Sequence, residues 1–591
     1  MLRGRGAFVV VLFAVLAGTY GCGTGQEGVS VYPAPGTRTA SPQTQISVRG
    51  ARLEGLKEPR VPGSSSGAHR GRWSEHPDHR GTSFMPEEPY HSGERVTVRL
   101  GRSVNGAGGE EVRFSIAGVA RAGPGPPAQP AKGPLRNVQA FRSRPDLRPP
   151  AVEVTTPAGG QGQGDVFVAP KVGASQRGPM IIDPSGELVW FHPLSGTAQA
   201  FDFRAQAYDG KPVLTWWEGT PADFHGRGLG RIYDTAYRPL ATVRAGNGYE
   251  ADLHEFKLTA RGTALIAAYE PVPQDLSSVG GPKNGTVYDQ IVQEVDVKTG
   301  TVLFEWHSVG NIELSESYQP LPKDSKRVYD PVHVNSIDEE PNGDLLVSAR
   351  HTHTVYELDR STAKINWRLG GKRSSFDSGG KKLFAWQHDA RRLNDGTLTL
   401  YDNAASGARP NVYSHGLKLR LERKRFGAKP KVRVVAQFTA TPPVLGGTQG
   451  NVQTLPGGDV MVGWGGAIPR FTEVDDQGKT TFEARFLTPG AETYRAYRMP
   501  WNGTPSQRPD ITIEHADGRA QVHASWNGST TVATWRLLAG DSAGRLGLGG
   551  SAPRTGFESA IPLPKGPKLV AVQAIDAGGR VLGTSQTIRT R

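Results

Sequence analysis

The chain has 591 residues, with 76 Gly, 45 Pro, 11 Trp and 20 Phe, a single Cys and a formal charge of +13. Gly and Pro together stay below the share that marks a disordered low-complexity chain, and the aromatic content is enough for a real core. One thiol excludes an internal disulfide and a cysteine zinc site, and the basic balance comes without a recognition helix or a zinc finger, so nucleic acid is not an expected partner.

The N-terminus reads as a secretion signal. Arg3 and Arg5 precede the apolar run AFVVVLFAVLA at 7–17, which is shorter than the about 20 residues that a bilayer span needs. Gly21-Cys22 closes the segment. A small residue before a lone cysteine resembles a bacterial lipobox, although Thr19 stands where Leu is usual. The expectation is a signal at 1–22, lipidation of Cys22, and a folded body outside the cytoplasm whose one link to the membrane is a lipid anchor. Residues 23–90 are rich in Gly, Ser, Pro, Arg and Thr with no apolar period, and are expected to be a disordered tether. Val96–Leu100 and Val112–Ile116 alternate as two strands, so a small β segment with a Pro-rich linker is expected over 91–140.

From about 141 to 507, short β runs recur behind Gly-centred turns. The phrases DGKPVLTWWEG (209–219), RGTALIAAYE (261–270), NGDLLVSAR (342–350), DGTLTLYDNA (395–404) and GGDVMVGWGG (457–466) repeat one pattern. A second phrase follows many of them, a turn-forming Asp ahead of a strand that often ends on an aromatic residue: DPSGELVWFHP (183–193), DVKTGTVLFEW (296–306), DRSTAKINWRLGG (359–371). Repeats of this size predict an all-β, six-bladed β-propeller. Residues 508–591 carry strands at sandwich spacing, ITIEH, QVHASW, TVATWRLLAG and VAVQAID. They predict a fibronectin- or immunoglobulin-like β-sandwich, separable at the Pro-flanked stretch 500–509.

A polar residue recurs just before the repeated turns. His254 precedes Gly262, His333 precedes Gly343, His388 precedes Gly396 and Asn451 precedes Gly458. In a propeller, equivalent positions at the starts of the inner strands converge near the axis. Arg350 ends the strand after His333 and is expected on the same rim. Imidazole can serve as nucleophile, base or acid near neutral pH. Arginine offers a planar, permanently charged fork to an oxyanion. That set suits transfer of a sulfuryl or phosphoryl group. The three histidines could instead hold a zinc ion with an open position. Trp216-Trp217 could line an aryl funnel or simply pack; His351 and His353 read as structural.

The stretches DPVHVNSIDEEPNGDLLVSARHTHTVYELDRSTAKINWRLGG (330–371) and FAWQHDARRLNDGTLTLYDNA (384–404) resemble the bacterial arylsulfotransferases, in particular their actinobacterial-type branch. The resemblance covers roughly 141–500. It implies transfer of sulfate from a phenolic sulfate ester to an acceptor phenol, independent of the nucleotide donor PAPS and with no cofactor. The family's covalent histidine is matched by His388 in WQHDA, and its partners by His254, His333 and Arg350. Two other functions fit the residues: a non-catalytic cell-surface propeller that binds a ligand, and a metal-dependent hydrolase using the three histidines.

Overall fold

A computed structural model describes residues 28–590, apart from 58, 121–122, 124–133, 160–163, 174, 325, 406–412, 423–427 and 517–518. The signal segment, Cys22 and most of the Pro-rich linker lie outside the described residues. The all-β expectation holds. Apart from three short 3₁₀ turns, every regular element among the described residues is a strand, and no helix is long and apolar enough to cross a membrane.

The expected tether is a folded unit. Ser30–Tyr32, Ile46–Arg49, Gly81–Pro86 and Gly71–Glu75 form one sheet; Gly67–Ala68, Pro62–Gly63, Arg95–Val104 and Gly109–Ser115 form a second. Both bury side chains in one cluster that includes Val29, Ile46, Val48, Phe84, Val96, Val98 and Phe114. The boundary expected at 90 therefore falls inside a single core. The strands are short, and each apolar face is completed by a partner remote in the chain, as in Ile46↔Phe84, so no local period reveals them. The unit is fixed to the main body by Gln45, whose Nε2 donates to Val302 O (2.7 Å), and by Tyr32, whose hydroxyl donates to Arg360 O.

The main body is a series of antiparallel units of about four strands, the first two of which are joined into one eight-stranded sheet where Gly228 pairs with Ala251. Their first strands are Gln199–Tyr208, Ala251–Leu258, Val334–Glu339, His388–Arg392 and Asn451–Thr454. A further unit is built from both ends of this region. Asp165–Pro170, Met180–Ile182 and Leu188–Phe191 are joined by Thr493–Met499, with Phe167 opposite Tyr497. Val152–Thr156 likewise adds an outer strand to Thr480–Phe486. Thr493–Met499 packs beside Gln199–Tyr208 on one side and beside Asn451–Thr454 on the other, and the intervening first strands touch in chain order. The first strands therefore surround one axis.

Charge fills that axis. Asp202, Glu255 and Asp389 meet Arg204, Arg391 and Arg495, with Arg495–Asp202 at 2.7 Å, Arg204–Glu255 at 2.7 Å and Arg391–Glu255 at 2.6 Å. Three carboxylates and three guanidiniums balance, which buried charges require if their desolvation is to be offset. The network ties strands of different units together beneath the histidines.

The C-terminal residues form two further antiparallel sheets. Asp510–Ala516, Arg519–Ser525 and Glu558–Pro562 make one; Gly547–Pro553, Val532–Gly540, Leu569–Asp576 and Val581–Thr584 make most of the other. They enclose Val522, Trp535, Leu537, Ile561 and Val572. These sheets also pack against the main body across the boundary expected at 507/508. Phe557, only 4% exposed, belongs to the same cluster as Leu188 and Phe191 of the main body, with its ring 4.3 Å from that of Phe141. Asn527 accepts from Phe191 N (3.0 Å) and donates to Phe191 O (2.9 Å).

Candidate active site

Backbone irregularity aims the three histidines. Ladder pairing is interrupted between Ala251 and Phe256 and again between His388 and Arg391. His333 itself has φ +59, and Trp386 and Asp389 on either side of His388 have φ +59 and +57. A bulge or a left-handed residue at the start of an inner strand turns a side chain out of the alternation, and such strain gathers at working sites.

Each histidine has its Nδ1 held. His254 Nδ1 donates to Asp252 Oδ1 (2.5 Å), and Asp252 also accepts from Gly226 N (2.7 Å). His333 Nδ1 donates to Asp330 Oδ2 (2.6 Å). His388 Nδ1 donates to Asn403 Oδ1 (2.6 Å). The Asn403 amide nitrogen is already used, donating to Gly446 O (2.7 Å) and Gln449 O (2.9 Å), so its oxygen must face the imidazole. In all three rings the proton sits on Nδ1 and the lone pair on Nε2. At His388 that lone pair accepts the Gln449 N–H at 3.2 Å.

The partners differ in a way that sorts the roles. At His254 and His333 the acceptor beside Nδ1 is a carboxylate, Asp252 and Asp330. The amide beside His388 offers no such charge. Burial, the Arg350 cation and His254 hold His388 well below the ordinary imidazole range, which keeps the ring neutral. Burial also holds His333 well below that range, despite Asp330.

The sites expected from sequence come together. The His254 and His333 rings are 4.8 Å apart in a T-shaped contact, and the His333 ring lies 4.6 Å from His351. Arg350 Nη1 donates to His351 Nε2 (2.8 Å), and its guanidinium stacks 3.6 Å from the Trp386 ring centre. Trp386 leads into His388, whose Nδ1 lies 3.0 Å from Trp386 O. Asn451 has a different job: its side chain accepts from Ala496 N (2.9 Å) and donates to Ala496 O (2.8 Å), tying neighbouring units. Trp216 and Trp217 are both buried packing residues. His353 stacks on Tyr318, as a structural role requires.

The sequence did not single out Asp330, His225 or Asn403, and His351, expected to be structural, lines the cavity beside Arg350. Asp330 is the hub. Its Oδ2 accepts from His333 and from His225 Nε2 (3.1 Å), its Oδ1 from Gln290 Nε2 (2.6 Å), and its backbone carbonyl from His351 Nδ1 (2.7 Å). Burial alone would raise its carboxyl, but His333, His351 and His225 hold it well below the usual range. The available signal was an Asp three residues before His333.

Arg350 is 8% exposed. Burial draws its pKa down to about 10. Among the described residues it forms no ion pair; Asp330, the nearest carboxylate that acts on it, is committed to imidazoles. Its Nε has no hydrogen-bond partner. A buried cation with spare donors calls for an anion. A cavity of about 470 Å³ opens onto this group, lined by Arg350, His351, His225, Asp330, Trp386 and Tyr288 among others. His225, Asp330 and His333 also bring three ligand atoms within 4.8 Å of one another, a set able to hold a cation. It shares only His333 with the histidine set expected from sequence.

Residues 204–487 match the model of the arylsulfotransferase (ASST) family. The match supports that family for the main body, and it spans His254, His333, Arg350 and His388. No curated protein matches the chain. Among solved structures the chain is similar to a Bacteroides caccae protein of unknown function, at 15% identity and TM-score 0.34, covering 57% of this chain and 99% of that one. It is similar also to the extracellular domain of the hybrid two-component system BT3049 from B. thetaiotaomicron, at 10% identity and TM-score 0.32, covering 92% and 69%.

Proposed function

We propose that the chain is an arylsulfotransferase-like enzyme of the actinobacterial type, moving a sulfuryl group from a phenolic sulfate ester to a phenol without PAPS. In this reading the four-stranded units are the six blades of one β-propeller. The C-terminal sheets are a fibronectin- or immunoglobulin-like sandwich. The observation that carries the chemistry is Arg350: a buried guanidinium without a carboxylate partner, on the wall of a cavity that His351 and His225 also line.

The cycle is ping-pong. His388 Nε2 gives up the Gln449 N–H bond and attacks the ester sulfur, the S–O bond to the aryl group breaks, and its electron pair leaves on the phenolate oxygen. Protonated His254, supported by Asp252, gives that oxygen a proton. Arg350 balances the charge on the sulfuryl oxygens, where a preorganised donor is worth most. The acceptor phenol returns a proton to His254 as its oxygen takes the sulfuryl group, restoring neutral His388. Asp330 lines the cavity and fixes His333 beside His254.

The test is a chromogenic aryl sulfate with and without added phenol, on wild type and His388→Asn. The reading expects phenol-dependent colour release from wild type and none from the variant. Release that ignores the acceptor would mean a sulfatase, and no release would mean a binding module. A second reading has its own observation, the His225–Asp330–His333 group. One bound divalent cation per chain, lost together with activity on chelation, would favour the hydrolase. Outside the membrane, anchored through lipidated Cys22, is the location proposed. Loss of membrane retention in Cys22→Ser tests it.

A further inference from the structure

The mouth of the cavity carries an outlier that the mechanism does not use. Strands Lys211–Ala222 and His225–Tyr233 are joined by a two-residue turn, with Ala222 paired to His225. Asp223 and Phe224 occupy the turn with φ +49 and +69. Positive φ at both central residues is a type I′ turn, whose second position is usually Gly. A phenylalanine there is strained, because its Cβ crowds the backbone in the left-handed region. The ring gains nothing from burial in return: Phe224 is 76% exposed, among the most exposed large apolar side chains described.

The turn is held in place from both ends. Asp223 pairs with Arg327, and His225 donates to Asp330, so the tip is fixed to the 327–330 segment that carries the site's hub. Phe224 lines the same cavity as Arg350, together with Pro320, Leu321, Pro322 and Tyr288. The lining thus combines a buried cation with an exposed aromatic ring and other apolar side chains. Its volume of about 470 Å³ lies in the range that takes drug-sized ligands, well beyond a single ring.

We propose that Phe224 is a specificity residue, a pre-set aromatic clamp for the aglycone, and that the site takes phenolic sulfates with an extended, multi-ring apolar body in preference to single-ring ones. This rests on the reading of the site as an aryl-sulfate site. The strain at Phe224 persists because the ring's contacts are made with ligand rather than with protein. Aromatic pairs add affinity beyond the area they bury.

The experiment is calorimetric binding of sulfonates, which cannot transfer their sulfur group. Naphthalene-2-sulfonate and methanesulfonate are titrated into the full chain as wild type, Phe224→Gly and Phe224→Trp, with melting midpoints measured alongside. Phe224→Gly is expected to weaken naphthalene-2-sulfonate by about five- to tenfold. Methanesulfonate binding should be unchanged, and the melting midpoint should hold or rise, because glycine accepts the turn's φ. Phe224→Trp should keep the affinity. Equal naphthalene-2-sulfonate affinity in wild type and Phe224→Gly overturns the clamp while leaving the aryl-sulfate reading intact. A lower melting midpoint for Phe224→Gly also overturns it, by making the ring a structural element. Failure of wild type to bind either sulfonate overturns the clamp together with the reading beneath it.

Discussion

Replacing Arg350 by Met separates an anion site from a structural strut. The guanidinium is buried and drawn down to about 10. At about 1.4 kcal/mol per pK unit, that depression corresponds to about 3 kcal/mol of unfavourable charge burial. The sign follows from linkage. A base with a lowered folded pKa is charged in both states at every pH below about 10, so this cost is constant across the neutral range and disappears only in strong alkali. Against it stand two hydrogen bonds, to His351 Nε2 and Gly447 O, at about 1 kcal/mol each. The stack on Trp386 adds about 1 kcal/mol more, part of which methionine retains through its sulfur. The terms nearly cancel. Arg350→Met should therefore melt close to wild type, while its turnover falls by about 10²- to 10³-fold, as when one oxyanion donor is lost. Arg350→Lys should fall less, since it keeps the charge but not the fork. The assay pairs thermal melts with turnover. An aryl sulfonate at about 100 times its Kd should add about 2.7 kcal/mol to wild type and far less to Arg350→Met. A variant that melts far below wild type, or that keeps full turnover, would refute the argument.

The remaining expectations concern pH and domain coupling. His351 and His76 are pushed down to about 4, His353 to about 3, and His388 and His333 also lie well below the ordinary value. Such groups are neutral when folded but take up protons when unfolded, so the stability they contribute is present above about pH 6.5 and is lost as pH falls toward 4; melts between pH 7.5 and 4 should show the midpoint falling from about 6.5 downward, and a flat profile would contradict this. His307 is held up to about 10 by Asp289 and Glu305. Its contribution is complete below about 6.5 and is lost as pH rises through about 10, so in His307→Gln the alkaline fall in midpoint between those values should shrink. Deleting 508–591 exposes the partners of Phe557 and removes both Asn527 bonds, and burial of one such ring is worth about 1.5–3 kcal/mol. The main melting transition should drop; an unchanged midpoint would restore the two parts as independent.

The repeat made much of the site legible. Because Gly turns and aromatic strand ends recur at comparable spacing, a similar offset from the turn, eight residues for His254 and His388 and ten for His333, places all three at the starts of successive inner strands without any structure. What stayed hidden depends on contacts between units. His225 meets Asp330 from 105 residues away, and it sits at the tip of a hairpin whose role no period announces. Asn403 lies one strand beyond His388, where an asparagine reads as a turn residue. The axial charge network hid in plain view as the neighbours of the histidines, Glu255 and Asp389, because composition does not say which carboxylates find arginines. The N-terminal sheets were invisible for a different reason. Gly67–Ala68 and Pro62–Gly63 are two-residue strands, and a pairing that short leaves no alternation to read.

The most direct test of the account is mass spectrometry of the intact full-length protein and its peptides after incubation with an aryl sulfate donor and no acceptor, under conditions that spare acid-labile adducts. The account predicts one sulfuryl group on the peptide carrying His388, discharged when a phenol is added and absent from His388→Asn. Steady transfer by a wild type that never carries the adduct, or an adduct on His254 or His333 that forms equally in His388→Asn, would contradict it.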